Sequence, residues 1–294
     1  MRAAVIFGLG SSEKDLGPFC KNSAAELSIG LPASSSEADA ILIFGGDGTV
    51  HRHLPQLVKL QLPVLVVPCG SGNDFARALG LRKVRDAVSA WQKFSTTRTN
   101  AHAIDLGVIH AGEALHYFCC IGGVGLDAEV ARRANRFPRW LRGHGGYVLS
   151  LLPALLSFKP VPLKISTANA SGDFWVESNK PTFLAAFANT QAFGDGMKIA
   201  PRARMDDGLL DVCVIREVDK VKLFCLFPTV YFGRHLQIPE VEYCQSDRLR
   251  IETEKPMSVY ADGEYVCETP IEVTVARTAL RAITSPAQDP SARS

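Results

Sequence analysis

The chain carries no surplus of charge of either sign. Its 32 lysines and arginines meet 30 aspartates and glutamates, a net charge of +2. Proteins that neutralise a nucleic-acid backbone carry a strong basic excess, so no nucleic-acid partner is expected. A long apolar run is also missing. The longest, Tyr147–Phe158, has twelve residues and contains Pro153, whereas a membrane-spanning helix needs about twenty. The apolar run within Met1–Gly8 is too short for a secretory leader and reads as a strand. None of the eight cysteines forms a Cys-x-x-Cys pair. Most sit in apolar runs, as in Phe118–Ile121, and read as small hydrophobes in a reducing compartment. The expected location is cytoplasmic, with peripheral membrane contact allowed. No internal repeat is present. Nor is there a Gly-x-Ser-x-Gly elbow, a Gly-Lys-Ser/Thr ending a P-loop, or a Gly-x-Gly-x-x-Gly fingerprint.

What is there is glycine in two loops. The first is Gly45, Gly46, Asp47, Gly48 and Thr49; the second is Pro68, Cys69, Gly70, Ser71, Gly72, Asn73 and Asp74. Each follows an apolar run, Ile41–Phe44 or Val64–Val67, and each leads into a helical segment. Loops without side chains let backbone N–H groups approach a phosphate. A carboxylate among such amides repels the anion unless a cation sits between them. Asp47 and Asp74 therefore point to a Mg²⁺–nucleotide site. Asn73 or Asp74 also suits the N-cap of the following helix.

Along the chain, Ala3–Phe7 reads as a strand, Phe19–Leu27 as a weak helix and Asp39–Phe44 as the next strand. The linking segment is long enough for one crossover helix. Val50–Leu60 is expected to be helical, kinked or restarted at Pro55. Pro63–Val67 is a strand, and Asn73–Leu79 a helix ended by Gly80. Val84, Ala87, Val88, Trp91 and Phe94 recur at helical spacing. Alternating strands and helices predict a parallel α/β sheet over residues 1–102. From Ala103 strands dominate. They are Ile104–Ile109 and Leu115–Ile121 about a hairpin, then Leu163–Thr167, Phe174–Glu177, Phe183–Asn189, Leu209–Ile215, Leu249–Glu252, Met257–Ala261 and Ile271–Val275. Several are joined by Asp-Gly or Ser-Gly turns. Helices are expected near Leu126–Asn135, Trp140–Ser157 and Lys220–Tyr231. Residues 103–277 thus read as an antiparallel β-sandwich domain, and 286–294 as a disordered tail.

Three further stretches carry acids. Gly122–Asp127 reads as a structural turn. Ala200–Asp211, with three acids near two arginines, reads as a surface hairpin loop turning at Asp207-Gly208. Asp262-Gly263-Glu264 has the same reading, but a hairpin needs only the Asp-Gly, which singles out Glu264. His51 and His53 show no metal-ligand spacing and read as phosphate-side or surface residues.

The run Gly-Gly-Asp-Gly-Thr at 45–49, Pro-x-Gly-Ser-Gly-Asn-Asp-Phe-Ala-Arg at 68–77, Gly-x-Gly-x-Asp at 123–127, Asp-Gly-x-Leu-Asp at 207–211 and Asp-Gly-Glu at 262–264 resembles the diacylglycerol kinase catalytic-domain family. The match is closest to its bacterial lipid kinases, spans nearly the whole chain and keeps the motif order. The resemblance implies an α/β nucleotide-binding domain of the NAD-kinase/diacylglycerol-kinase kind, a C-terminal β-sandwich and an active site in the cleft between them. It implies ATP as donor, Mg²⁺ as cofactor and a lipid hydroxyl as acceptor. It places Gly45, Gly46, Asp47, Gly48 and Thr49 on the phosphates, with Asp47 in the catalytic set. Gly70, Ser71, Gly72, Asn73 and Asp74 match the second nucleotide loop, Asp207 and Asp74 the metal ligands, and Glu264 the general base. Residues 278–285 would return to the first domain. A homodimer is compatible with the family pattern.

The chain departs from that pattern in two places. Phe7–Ser12 stands where the family has Asn-Pro-x-x-Gly, and the segment up to Asp39 looks short, as if a helix and a strand were lost. Arg204 stands where small polar residues are usual. Two rival readings follow: a nucleotide-binding regulator without chemistry, and a kinase of a soluble acceptor. The apolar stretches Tyr147–Phe158 and Leu223–Phe232 suit an acyl pocket or a bilayer. Arg132, Arg133, Arg136, Arg139 and Arg142 would then face lipid head groups.

Overall fold

A computed structural model describes residues 1–21, 25–134, 136, 147–168, 174–192, 194 and 196–285. The expected tail at 286–294, the start of the helix expected from Trp140, and Asn135, Arg139 and Arg142 lie outside the described residues. The chain divides into two compact units: Met1–Ile104 with the chain from Arg277 on, and Asp105–Ala276.

The first unit is an α/β layer. Its strands are β1 (Arg2–Phe7), β2 (Glu26–Ile29), β3 (Ala40–Gly45) and β4 (Pro63–Pro68). The end of the last strand of the chain joins them. All pair in parallel, with Arg281 and Ala282 set against Pro63 and Val64 beside β4, then β3, β1 and β2. β3 is buried along its whole length, as a central strand covered on both faces must be. Between β1 and β2 come a 3₁₀ turn (Glu13–Leu16) and α1 (Gly17–Cys20). The strand that looked lost is therefore present as β2, on the sheet edge. What is short is the helical part, because four-residue turns replace full crossover helices. The helix expected over Phe19–Leu27 is accordingly cut to α1, and its end is strand.

α2 (Asp47–Leu60) begins at the first glycine loop and runs unbroken through Pro55. Val50, Leu54, Leu57 and Leu60 form its buried stripe. α3 (Asp74–Ala78) follows the second loop, and α4 (Val84–Thr97) buries Ala87, Ala90, Trp91 and Phe94.

The second unit is an antiparallel β-sandwich. It starts with the hairpin β5 (Ala101–Ala111) and β6 (Ala114–Phe118), then β7 (Ile121–Gly125) and α5 (Leu126–Ala134). The stretch Gly122–Gly125 is thus buried strand and not the turn expected. Its glycines are needed for packing: a Cβ on Gly122 would lie 2.1 Å from the Phe187 ring. Next come α6 (Tyr147–Ser157), β8 (Val161–Ala168) and β9 (Phe174–Ala188). β9 merges two expected strands, since Asn179–Thr182 stays paired with β8. β10 (Leu210–Arg216), α7 (Lys220–Leu226), a 3₁₀ stretch (Phe227–Phe232) and β11 (Val241–Ser246) follow. The unit closes with β12 (Arg248–Glu252), β13 (Ser258–Ala261), β14 (Glu264–Glu268) and β15 (Ile271–Ile283). Leu163, Phe187, Val212, Leu249, Val259 and Val273 belong to its core.

Candidate active site

In the first unit the two glycine loops touch. They leave the C-terminal ends of the neighbouring parallel strands β3 and β4, where ligands of open α/β sheets bind. A Cβ on Gly70 would lie 2.3 Å from Gly46 Cα and 2.6 Å from Gly46 N, so only glycine permits this backbone contact. Asp47 fastens it. Its Oδ2 accepts from Asp74 N–H at 2.9 Å and its Oδ1 from Phe75 N–H at 2.9 Å. The N-terminus of α3 is thus capped by an acid on the other loop. Asn73, at the N-cap position, has φ +58° and does something else. Its side chain accepts from Gly70 N–H (2.9 Å) and donates to Gly70 C=O (2.7 Å), fixing that peptide from both sides. Asp74 is buried and pairs with Arg77 at 2.7 Å, and Arg77 also donates to the Gly72 carbonyl at 2.9 Å.

The turn after β1 packs onto the first loop. Gly8 N–H donates to Phe44 C=O at 2.7 Å, and the Ser11 hydroxyl donates to Phe44 and Gly8 carbonyls at 2.6 and 2.9 Å. A Cβ on Gly8 would meet Thr49 Oγ1 at 2.3 Å.

In the second unit the Asp207 and Glu264 turns hang on one hydrogen-bonded frame. Asp211, Ala188 and Ile121 are in register across β10, β9 and β7, and Asp262 N–H donates to Ile121 C=O at 2.9 Å. Asp262 and Gly263 both have positive φ, 51° and 83°, as a two-residue hairpin turn requires. The Asp262 carboxylate accepts from the amides of Cys119 (2.9 Å), Cys120 (2.8 Å) and Ile121 (3.3 Å). At the other turn, Gly208 N–H donates to the buried Asp105 at 2.7 Å. Asn189 bridges the two, donating to the carbonyls of Asp105 (2.8 Å) and Cys119 (3.2 Å). Sequence reasoning missed Asp105 and Asn189. The available signal was a lone acid inside the apolar strand Ile104–Ile109, which must find donors if it is buried.

The remaining acids differ from these. Glu264 starts β14, exposed, and among the described residues nothing binds its carboxylate. Asp207 is half-buried, with Oδ1 accepting from Leu209 N–H at 3.1 Å. Arg204 is exposed and pairs with Asp206 at 3.1 Å. Asp211 is buried and receives hydrogen bonds from Tyr243 and Gln245; burial pushes its carboxyl above the usual range. Within the expected basic face, Arg132 and Arg133 are both paired to Glu129, at 2.7 and 2.6 Å.

The second unit also holds an apolar chamber between α5, α6 and α7, lined by Leu126, Val130, Leu155, Leu223 and Phe227 among others. It draws on both apolar stretches singled out in the sequence. Exposed Leu156, Val221, Phe224 and Phe232 lie on the same elements. Among the described residues no helix is long and apolar enough to cross a membrane.

Comparison with known proteins bears on both units. A family model described as "Diacylglycerol kinase catalytic domain" matches residues 20–109, and one described as "YegS C-terminal NAD kinase beta sandwich-like domain" matches 121–284. The chain is 32% identical over 258 residues to a diacylglycerol kinase of Mycobacterium tuberculosis, across 85% of this chain and 78% of that one. Among solved structures, a diacylglycerol kinase of Bacillus anthracis superposes with a TM-score of 0.69 at 18% identity, over 97% of each chain. An NAD kinase of Archaeoglobus fulgidus in complex with ATP superposes with a TM-score of 0.50 at 16% identity, over 99% of this chain and 96% of that one. These two likenesses concern the fold.

Proposed function

The chain belongs to the diacylglycerol and lipid kinase family of phosphotransferases, and on that premise we propose that it transfers the γ-phosphate of ATP to a lipid hydroxyl. The observation that carries this reading is the pair of glycine loops pinned together by Asp47 at the ends of β3 and β4. The cradle is held by hydrogen bonds within the chain itself, and such preorganisation is what phosphoryl transfer chiefly needs. The ATP bound by the NAD kinase of the same fold supports a nucleotide donor.

Gly46, Gly48, Thr49, Gly70 and Ser71 present backbone and short side chains to the phosphates, with the positive end of α2 behind them. Asp47 acts as a positioning residue, holding the second loop against the first through the Asp74 and Phe75 amides. Mg²⁺, when bound, offsets phosphate charge. Asp207 fits it, because one carboxylate oxygen is uncommitted among the described residues and hard oxygen ligands suit the ion. Asp74 fits it poorly, since Arg77 already takes its charge. We assign Asp74 to holding Arg77 against the second loop. The lipid oxygen attacks the γ-phosphorus, the bond from that phosphorus to the bridging oxygen of ADP breaks, and the hydroxyl proton passes to Glu264. The hydrocarbon of the lipid occupies the apolar chamber.

The test is Glu264→Gln with radiolabelled ATP and a panel of lipids. Turnover should fall by on the order of 10²–10⁴-fold, the share of a general base, while calorimetry shows nucleotide binding unchanged. Retention of most activity would remove Glu264 from the mechanism. Nucleotide binding by the unaltered chain without transfer to any lipid would remove the kinase reading.

A further inference from the structure

The chamber is lined by apolar side chains except for Asp127, His235 and Glu240. Among the described residues seven buried side-chain polar atoms have no hydrogen-bond partner, and two of them, His235 Nδ1 and Glu240 Oε2, belong to residues lining this chamber. His235 is 1% exposed, and its Nε2 lies 3.0 Å from the Ile199 carbonyl oxygen. A carbonyl only accepts, so Nε2 carries the hydrogen. Burial holds the imidazole pKa below its usual value. The ring is therefore neutral and Nδ1 offers a bare lone pair. Glu240 gives Oε1 to Lys222 Nζ at 2.6 Å, and that ammonium holds its carboxyl below the usual range. Oε2 finds no donor in any other described residue, while the carboxylate also takes a hydrogen bond from its own backbone N–H and its side chain is 28% exposed. Two acceptors cannot satisfy each other, and of the two His235 Nδ1 is the fully buried one, where an acceptor without a donor is costly.

We infer that the chamber recognises a hydrogen-bond donor carried on the apolar part of its ligand: a hydroxyl, amine or amide N–H distinct from the hydroxyl that is phosphorylated. The choice of a lipid as occupant rests on the lipid-kinase reading above. The consequence for substrate class is definite. A diacylglycerol has one hydroxyl, which the reaction consumes, and its ester oxygens would add acceptors to acceptors. A monoacylglycerol, a hydroxyacyl lipid or a long-chain amino alcohol brings the missing donor. Sites with unpaired buried polar groups reject analogues that leave them unpaired more strongly than apolar pockets reject a missing methylene.

The experiment has a binding arm independent of phosphate transfer. Decan-1-ol and 1-methoxydecane differ by one donor. Their affinities for the full chain, measured by ligand-observed NMR, should differ roughly tenfold in favour of the alcohol, the value of one hydrogen bond. The ratio should fall toward one in Glu240→Met and in His235→Phe. Equal binding of alcohol and ether by the unaltered chain overturns the proposal, as when a water already serves both acceptors, and so does failure of both to bind. That ratio decides even if a variant fails to fold. The transfer arm compares mono- and diacylglycerol of matched chains. The monoacyl lipid should be the better substrate, and a preference for the diacyl lipid that Glu240→Met leaves unchanged counts against the assignment. A clear alcohol preference with no transfer to any lipid would instead sink the kinase reading and leave the acceptor pair standing.

Discussion

Replacing Asp47 by asparagine separates two roles that an acid in a phosphate loop can have. If its charge served only the nucleotide, Asp47→Asn would leave the free protein as stable as before. The structure gives another outcome. Both carboxylate oxygens receive backbone N–H groups, from Asp74 and Phe75, each at 2.9 Å and partly buried. Asparagine keeps one acceptor and turns an NH₂ group against the other amide. A hydrogen bond to an ionised acceptor contributes about 1.5–3 kcal/mol, and loss of an N-cap about 0.5–2 kcal/mol. The two descriptions overlap, so about 2 kcal/mol is expected for Asp47→Asn and about 3 kcal/mol for Asp47→Ala. The melting temperature of the first unit should fall by roughly 5–10 °C. Nucleotide affinity should fall with it, because Gly46 and Gly70 are no longer held together. Differential scanning fluorimetry with and without ATP reads both. An Asp47→Asn protein that melts with the unaltered chain, yet has lost nucleotide binding, would refute the clamp and return Asp47 to direct chemistry.

The same contact predicts that Gly70→Ala destabilises and abolishes nucleotide binding, since the new Cβ would lie 2.3 Å from Gly46 Cα. Gly17→Ala, where a Cβ meets nothing within 4 Å, should leave both unchanged; equal effects would dismiss the loop contact. A further prediction concerns acid. Arg132, then Arg133, hold the Glu129 carboxyl below its ordinary 4.5. Its contribution to stability is present above that value and is lost as pH falls through the lower folded-state pKa. Between pH 6 and 3 the urea midpoint should therefore decline less in Glu129→Gln than in the unaltered chain, and parallel curves would exclude the pairing.

What was legible in the sequence was whatever depends on backbone freedom and on period. The two glycine loops, the Asp-Gly hairpin at Gly263, and the helical stripe of Trp91 and Phe94 follow from local rules; the hairpin expected at Asp207-Gly208 is not one, since β9 ends at Ala188 and β10 begins only at Leu210. β2 was hidden because Glu26–Ile29 is a four-residue, mostly exposed edge strand, which leaves little hydrophobic signature. β7 was hidden for the opposite reason. Its glycines resemble a turn until Phe187 is seen to occupy the space where Gly122 would carry a side chain. β9 was split because Lys180-Pro181 punctuates it, although Pro181 still lies opposite Pro162. The frame of Asp105, Asn189 and Asp262 was unreadable, since its members are 84 and 73 positions apart in sequence.

That frame and the Asp47 clamp use one device. An ionised carboxylate collects backbone amides from a distant segment and fixes a loop that carries other groups: Asp47 on Asp74 and Phe75, Asp105 on Gly208, Asp262 on Cys119, Cys120 and Ile121. Each gains hydrogen bonds stronger than neutral ones. Each is thereby less available to a ligand, because its lone pairs are engaged by the chain itself. The acids therefore divide by what fills their oxygens. Asp47, Asp105 and Asp262 hold loops, Asp74 holds Arg77, and Asp207 and Glu264 have carboxylate oxygen uncommitted among the described residues. An acid in a glycine turn is ambiguous in sequence, and only the donors around it distinguish a clamp from a base.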